Sequence, residues 1–435
     1  MRKYELQFDD ESIKDTIHSN TLNRNDKLFN LIRLLNSMNE NHIISIDGGW
    51  GSGKTFFIKQ LIYLKNNHND CNFLKQDVHD IITEFNEKYI VVYYNAWEND
   101  DHNDPIESII YNILNILPKY SDTFIDTSEL FDLIKKSWMN FIEVSSLGIV
   151  KTEDVKEMKT FSDLADSVNT IEEKKNAVLT LLSHITKYKR ILLIIDELDR
   201  CKPDFAVKSI ETIKHFYDSP KISTIFVTNN NQLSKTIKKF YGNEFDGYSY
   251  LNKIYDAVIP LHCDNIEQYS KKYLDINHST NLPEDVSIFL FKHYNLSYRE
   301  CNKYMSMYRL IEPYIHWKDK FSENNSNIDI SCIFVPIAIA LKVKDIYLYE
   351  RFIQNDASDI LKELFDDDKL NSTNGNLYRW FCEIFKVKEG MELSNRVANR
   401  YKEIFSVDNV YDYNKYPYME AISMLGNLIH IEDDK

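Results

Sequence analysis

Glycine and proline are scarce in this chain, ten and nine among 435 residues, while asparagine, isoleucine, lysine and tyrosine are abundant. With apolar content ample for a large core, this excludes a disordered protein and points to a compact, mostly helical one of two or three domains, from an AT-rich genome. The six cysteines, Cys71, Cys201, Cys263, Cys301, Cys332 and Cys382, stand far apart without a C-x-x-C pair. That argues against a zinc site and for reduced thiols in a cytoplasmic protein. The twelve histidines form no H-x-x-x-H pattern and read as solvated or satisfied core residues. Positive charge is in deficit as well: the net charge is -15, so no overall basic field attracts nucleic acid, and only a local patch would. Long apolar runs are missing. The most apolar, Cys332 to Leu341, is about half the length that spans a bilayer and carries Pro336, so it reads as a buried helix. Met1 to Leu6 lacks the apolar stretch of a signal peptide and acidic residues follow it, so the expected location is the cytoplasm, with no membrane span.

The few glycines are not spread evenly. Four of the ten fall within six residues, in Gly48-Gly49-Trp50-Gly51-Ser52-Gly53-Lys54-Thr55. The spacing G-x-x-x-x-G-K-[ST] is that of a phosphate-binding loop, whose backbone N–H groups wrap a triphosphate while Lys54 reaches the outer phosphates and the Thr55 hydroxyl holds a magnesium ion. At average usage the pattern arises by chance in roughly one in a hundred chains of this length. Its context is also present: Ile43-Ile44-Ser45-Ile46-Asp47 reads as a short buried strand entering the loop, and Thr55 to Leu64 as the helix leaving it. The residues expected to hold nucleotide are therefore Gly48, Gly49, Trp50, Gly51, Ser52, Gly53, Lys54 and Thr55.

An amphipathic helix over Asp26 to Leu35, capped by Asn25 or Asp26, is expected before the first strand. Lys88 to Tyr94 reads as a second buried strand, ending in Asn95-Ala96-Trp97 and an acidic loop through Asp104. Pro105 then opens a helix with Ile106, Ile109, Ile110, Ile113 and Leu114 as its stripe. Residues 119 to 170 are irregular and read as an insertion. A helix over Ile171 to Ile185 leads to the wholly apolar strand Arg190 to Asp196, of the kind covered on both faces by helices. A helix over Pro203 to Tyr217 and a strand over Ser223 to Thr228 follow. This alternation over residues 41 to 260 predicts an α/β domain with a parallel sheet. Beyond Leu261 helical periodicity dominates, through Ser287 to Phe291, Met305 to Ile311 and Ile346 to Leu364, which predicts an all-helical C-terminal domain. The acidic clusters Asp366-Asp367-Asp368 and Glu432-Asp433-Asp434 read as solvated loops and tails.

A phosphate loop serves kinases, GTPases and ATPases alike, and the second motif discriminates. In Ile191-Leu192-Leu193-Ile194-Ile195-Asp196-Glu197-Leu198-Asp199-Arg200, the aspartate ending the apolar strand can hold magnesium through its water shell, opposite Thr55. Glu197 is placed to polarise a water for attack on the γ-phosphate. An adjacent acid pair favours hydrolysis over small-molecule phosphoryl transfer. No N-K-x-D guanine-reading motif is present, since Asn252-Lys253, Asn302-Lys303 and Asn414-Lys415 all lack the aspartate, so ATP is the expected nucleotide.

These residues resemble the KAP P-loop NTPases, a branch of the additional-strand ATPases. The loop Gly49-Trp50-Gly51-Ser52-Gly53-Lys54-Thr55 is similar to the family's W-G-S-G-K-[ST], and Tyr94-Asn95-Ala96-Trp97 to its N-A-W signature. Asp196-Glu197-Leu198-Asp199-Arg200-Cys201 resembles its D-D-L-D-R-C segment, with Glu in place of the second Asp. Tyr250-Leu251-Asn252-Lys253-Ile254 with Ile259-Pro260-Leu261 is similar to its Y-L-x-K-I and apolar-Pro ending. Leu296-Ser297-Tyr298-Arg299-Glu300 occupies the place of its N-P-R segment, with Tyr for Pro. The resemblance covers roughly residues 20 to 320.

It implies a P-loop sheet of the additional-strand type in residues 1–261, with a helical domain over 262–435, and the strand ending at Thr228 lying between the loop strand and the Asp196 strand. Asn229 would then face the γ-phosphate as a sensor, or else serve as a turn residue. Arg200 and Arg299 are the candidate cations for transition-state charge, or else structural ion-pair partners. Asn95 is a candidate for orienting water or Asp196, whereas Trp97 reads as packing. Many members carry membrane helices between the two nucleotide motifs; this chain has only the stretch 119–170 there. The implied activity is magnesium-dependent ATP hydrolysis switching the helical domain against the α/β domain. Bacterial relatives are associated with phage defence and plasmid exclusion, with a protein partner or effector and a homo-oligomer among the implied associations. The alternatives are a nucleotide-loaded scaffold that barely hydrolyses and, lower, a small-molecule kinase.

Overall fold

The run Arg190–Asp196 (β3) and the run Ile222–Thr228 (β4) form strands in which all seven residues are buried. Such runs form strands because β-branched side chains pack well on a pleated surface, and continuous burial requires cover on both faces. With Ile43–Asp47 (β1), Tyr89–Asn95 (β2) and Ala257–Pro260 (β5) they make a five-stranded sheet of order β2-β3-β4-β1-β5. Every pairing is parallel. Strand β4 thus lies between the loop strand β1 and the strand ending at Asp196, as the resemblance implies. This computed structural model describes residues 7–101, 105–116, 179–180, 182–216, 221–263, 265–273, 282–311, 330–388, 392–406, 422 and 424–425. The expected insertion at 119–170 and the acidic cluster Glu432-Asp433-Asp434 lie outside them.

The described residues divide into two compact units, one through His262 and one from Cys263 onward. In the first, helices Asp10–Ser19 (α1), Asn25–Ser37 (α2), Lys54–Asn67 (α3), Gln76–Lys88 (α4), Pro105–Ile116 (α5), Pro203–Phe216 (α6), Asn230–Tyr241 (α7) and Gly247–Asn252 (α8) accompany the sheet. The period-2 rule assigns the faces. Ile90, Val92, Tyr94, Ile191, Leu193 and Ile195 share one core cluster with Ile109, Ile110 and Ile113 of α5 and Phe205 and Ile210 of α6. On the other face Tyr93 meets Lys59 of α3, whose Nζ lies 3.7 Å from the ring centroid. Neither Asn25 nor Asp26 caps α2: the helix starts at Asn25, and its leading amides, on Arg24 and Asn25, donate instead to the Asn20 carboxamide oxygen at 3.0 and 3.2 Å. A residue five positions upstream in a turn competes successfully because short Asn side chains reach adjacent backbone readily.

At the opposite end of the sheet from the loop, the buried Lys65 of α3 donates to the Tyr89 carbonyl at 2.8 Å. Burial, aided by the charge of Lys189, lowers its pKa to about 8. Below pH 8 the folded state carries the full cost of a buried ammonium; between 8 and the ordinary lysine value of 10.5 the unfolded chain binds the proton and the folded one does not, so this residue's contribution to stability rises with pH there. Lys65→Met is expected to stabilise the chain at pH 7 by roughly 2 kcal/mol, the lost hydrogen bond offsetting part of the relieved charge. Urea unfolding at pH 7 and 9.5 checks this: the gain should shrink at the higher pH, and an equal gain at both would contradict it.

The second unit is helical throughout its described residues: Ile266–Tyr273 (α9), Leu282–His293 (α10), Tyr298–Ile311 (α11), Val335–Lys344 (α12), Ile346–Ile353 (α13), Ser358–Leu364 (α14), Asp367–Thr373 (α15), Gly375–Ile384 (α16) and Leu393–Ile404 (α17). The expected buried helix over Cys332 to Leu341 is present and buried throughout, with a π-helical turn at Ile330–Phe334 leading into α12. No helix among the described residues is long and apolar enough to cross a membrane. The helical periodicity expected over Ile346 to Leu364 is carried by two helices, because Asn355 takes a left-handed φ of 62° between α13 and α14. The acidic cluster Asp366-Asp367-Asp368 is also more than a solvated loop: Asp366 caps α15 by accepting from the Lys369 amide, and Asp367 accepts from the Tyr378 hydroxyl.

Candidate nucleotide site

Strands β1, β2, β3 and β4 run parallel, so Asp47, Asn95, Asp196 and Thr228 all end on one edge of the sheet, the edge where open α/β folds bind ligands. From Asp47 the chain turns through the glycine-rich loop into α3. Gly51 and Gly53 hold left-handed φ values of 76° and 83°, which glycine adopts without strain. Gly48 is required by space instead: a Cβ there would sit 2.6 Å from both the Leu261 carbonyl and the Ser52 hydroxyl. A Cβ on Gly49 would meet nothing within 4 Å. The loop closes through Ser52 N–H to Gly49 O at 3.2 Å and Gly48 N–H to Thr228 O at 3.3 Å. The first amides of α3, beginning at Lys54, therefore end at the loop, where the helix dipole favours an anion.

The Lys54 ammonium donates to the carbonyls of Gly48 and Gly49 at 2.7 and 3.2 Å. Burial lowers its pKa, and the carboxylates of Asp199, Asp196 and Asp47 oppose that shift. Opposite it Asp196, 1 % exposed, accepts from the Tyr93 hydroxyl at 3.0 Å, from the Glu197 amide at 2.8 Å and from the Thr55 hydroxyl. Burial raises the Asp196 pKa; these three donors and the Lys54 charge pull it back towards the ionised form. A buried carboxylate touching a threonine hydroxyl at a phosphate-loop helix is a hard-oxygen pair that fits a magnesium ion, so Thr55 and Asp196 suit the metal.

Glu197 has a left-handed φ of 61°, uncommon for a residue with a Cβ. The conformation is held from both sides: its amide also reaches Val227 O at 3.3 Å, and Leu198, the next residue, is fully buried at the start of a 3-10 turn over Leu198–Arg200. Strain of this kind collects at functional sites. The Glu197 carboxylate pairs with the Arg200 guanidinium at 3.0 Å, and Arg200 in turn lies 5.3 Å from the ring centroid of Trp97. Trp97, expected as packing, is partly exposed and serves as the face on which Arg200 rests.

Asn95 stands beside Asp196 in the β2–β3 register, but its side chain is occupied locally: it donates to Glu98 at 2.8 Å and accepts from the Trp97 amide at 3.1 Å. Asn229 is the N-cap of α7, accepting from the Gln232 amide at 3.3 Å. Arg299 belongs to the second unit, exposed in the first turn of α11, next to a reciprocal capping box between Ser297 and Glu300. The structure thus brings Lys54, Thr55, Asp196, Glu197 and Arg200 together at one edge of the first unit's sheet.

Three residues not named among the expected site residues join them. Tyr93 holds Asp196, and its position was legible: in a strand, Tyr93 and Tyr94 must face opposite ways. Asp199, almost buried, accepts from the Trp50 indole at 2.7 Å and so pins the loop to the 3-10 turn. Arg24 grips the loop from behind, and no local pattern marks it. Trp50 is 52 % exposed and lies within the loop itself. Its emission is therefore expected to change when Mg·ATP is added, and Trp50→Phe to remove most of that change; a full response persisting without Trp50 would contradict this assignment.

A five-stranded parallel sheet of this order, with a glycine loop between β1 and α3, defines a P-loop NTPase domain, the class of domain that binds nucleoside triphosphates. The family model of the KAP family P-loop domain matches residues 24–293, well over half of the chain. The chain belongs to the KAP family of P-loop NTPases. Comparison with curated proteins finds no match.

Proposed function

We propose that this chain binds ATP with magnesium and hydrolyses it, with the bound and released states as the two positions of a switch. The observation that carries the reading is the convergence of Lys54, Thr55 and Asp196 with the strained Glu197 on the loop edge of the sheet. In this reading the amides of Gly48 to Thr55 and Lys54 hold the phosphates, and Thr55 and Asp196 hold the metal. Magnesium, when bound there, neutralises charge on the β- and γ-phosphates. Glu197 accepts the proton of the attacking water, and Arg200, released from it, supports transition-state charge; Asn95, Asn229 and Arg299 are proposed to approach the phosphates only when nucleotide is present. The biological output proposed is the one the resemblance implies, phage defence or plasmid exclusion through a protein partner.

Phosphate release by the purified chain, measured beside Lys54→Ala and Glu197→Gln, tests the enzymatic reading, and equal release from all three would refute it. One observation favours a second reading. The Glu197 carboxylate is held by Arg200, so a chain that keeps nucleotide and turns it over slowly, as a scaffold, is also supported. Biological activity retained in Glu197→Gln but lost in Lys54→Ala would select the scaffold.

A further inference from the structure

Arg24 is 1 % exposed, and its guanidinium donates to three backbone carbonyls: Ser52 at 2.7 Å, Gly53 at 3.4 Å and His262 at 2.6 Å. Its own backbone is anchored too, the amide donating to Asn20 at 3.0 Å. Two of the acceptors are the last peptides of the phosphate loop. In a trans peptide the C=O of one residue and the N–H of the next point in opposite directions within one plane. A guanidinium that holds the Ser52 and Gly53 carbonyls therefore turns the Gly53 and Lys54 N–H groups the other way. The third acceptor is where the chain leaves β5, a segment tied to the loop strand again by Leu261 N–H to Asp47 O at 2.7 Å.

We propose that Arg24 is a positioning residue for the triphosphate: by gripping the outer carbonyls of the loop and the exit of β5 together, it keeps the Gly53 and Lys54 amides aimed at the phosphates. This rests on the nucleotide-binding reading above. The planar fork is essential to the role, because it spans carbonyls from two chain segments, whereas a lysine ammonium is a single point donor at the end of a flexible stem. The charge alone is thus insufficient, and Arg24→Lys separates fork from charge.

The test uses the full chain with Arg24→Lys and Arg24→Gln. Isothermal titration with Mg·ATP is expected to show affinity weakened about tenfold in Arg24→Lys and further in Arg24→Gln, as befits lost hydrogen bonds to a charged donor. Amide hydrogen exchange without nucleotide should quicken about tenfold at Ser52 and Phe57, whose N–H groups donate to the Gly49 and Gly53 carbonyls at 3.2 and 3.0 Å, while the amides of β3 and β4 keep their protection. Wild-type affinity in both variants with unchanged exchange at Ser52 and Phe57 would overturn the proposal. Exchange that quickens equally across β1, β3 and β4 would also overturn it, since Arg24 would then merely hold the fold. Should Arg24→Gln not fold, Arg24→Lys decides alone. Wild-type chain that binds no Mg·ATP refutes the nucleotide reading instead, and the exchange rates at Ser52 and Phe57 still decide what Arg24 does to the loop.

Discussion

Glu197→Gln is expected to leave ATP binding near wild type and to slow phosphate release by about a thousandfold, the scale of a lost general base. Glutamine keeps the size of the side chain and its left-handed backbone, so the loop, Asp196 and the 3-10 turn should stay as they are. What it loses is the ability to take a proton from water. It also loses the charge that pairs with Arg200 at 3.0 Å; that pair is partly exposed and contributes little to stability, so melting should move by no more than a degree or two. Single-turnover phosphate release together with equilibrium binding of Mg·ATP separates the outcomes. Hydrolysis at wild-type rate with binding intact would remove Glu197 from the chemistry.

Lys54→Ala is expected to remove binding itself. A lysine at this position meets a ligand of several negative charges in a site where burial already weakens its hold on the proton. Truncating one partner of a buried charge pair costs about 2–5 kcal/mol, which here is roughly thirtyfold to several thousandfold in ATP affinity. Phosphate release should fall at least as far. The ammonium donates to the Gly48 and Gly49 carbonyls of its own loop, so the folded state should survive the change. Titration calorimetry and circular dichroism on the same sample check both statements; tight binding by a folded Lys54→Ala chain would contradict the role given to this lysine.

Much of this site is legible in the sequence. Strands β1 to β4 were read within a residue or so because each is an apolar, β-branched run, and the loop because three of its glycines answer to φ or to space. The short strand β5 is not legible in the sequence. Its four residues alternate between half-buried and exposed, and only pairing with β1 makes them a strand. The break at Asn355 is not legible because the apolar periodicity continues through it, while the interruption depends on one residue's left-handed backbone.

By itself the sequence determined strands β1 to β4, the phosphate loop and the acid pair Asp196-Glu197, because strand propensity, glycine conformation and motif spacing are properties of a few consecutive residues. Tertiary structure alone decided which partner each polar group takes. Trp50 meets Asp199, Tyr93 meets Asp196, and Arg24 reaches carbonyls 28, 29 and 238 positions away. Hydrogen bonds act over about 3 Å and only in certain directions, so their partners are chosen by how the segments pack.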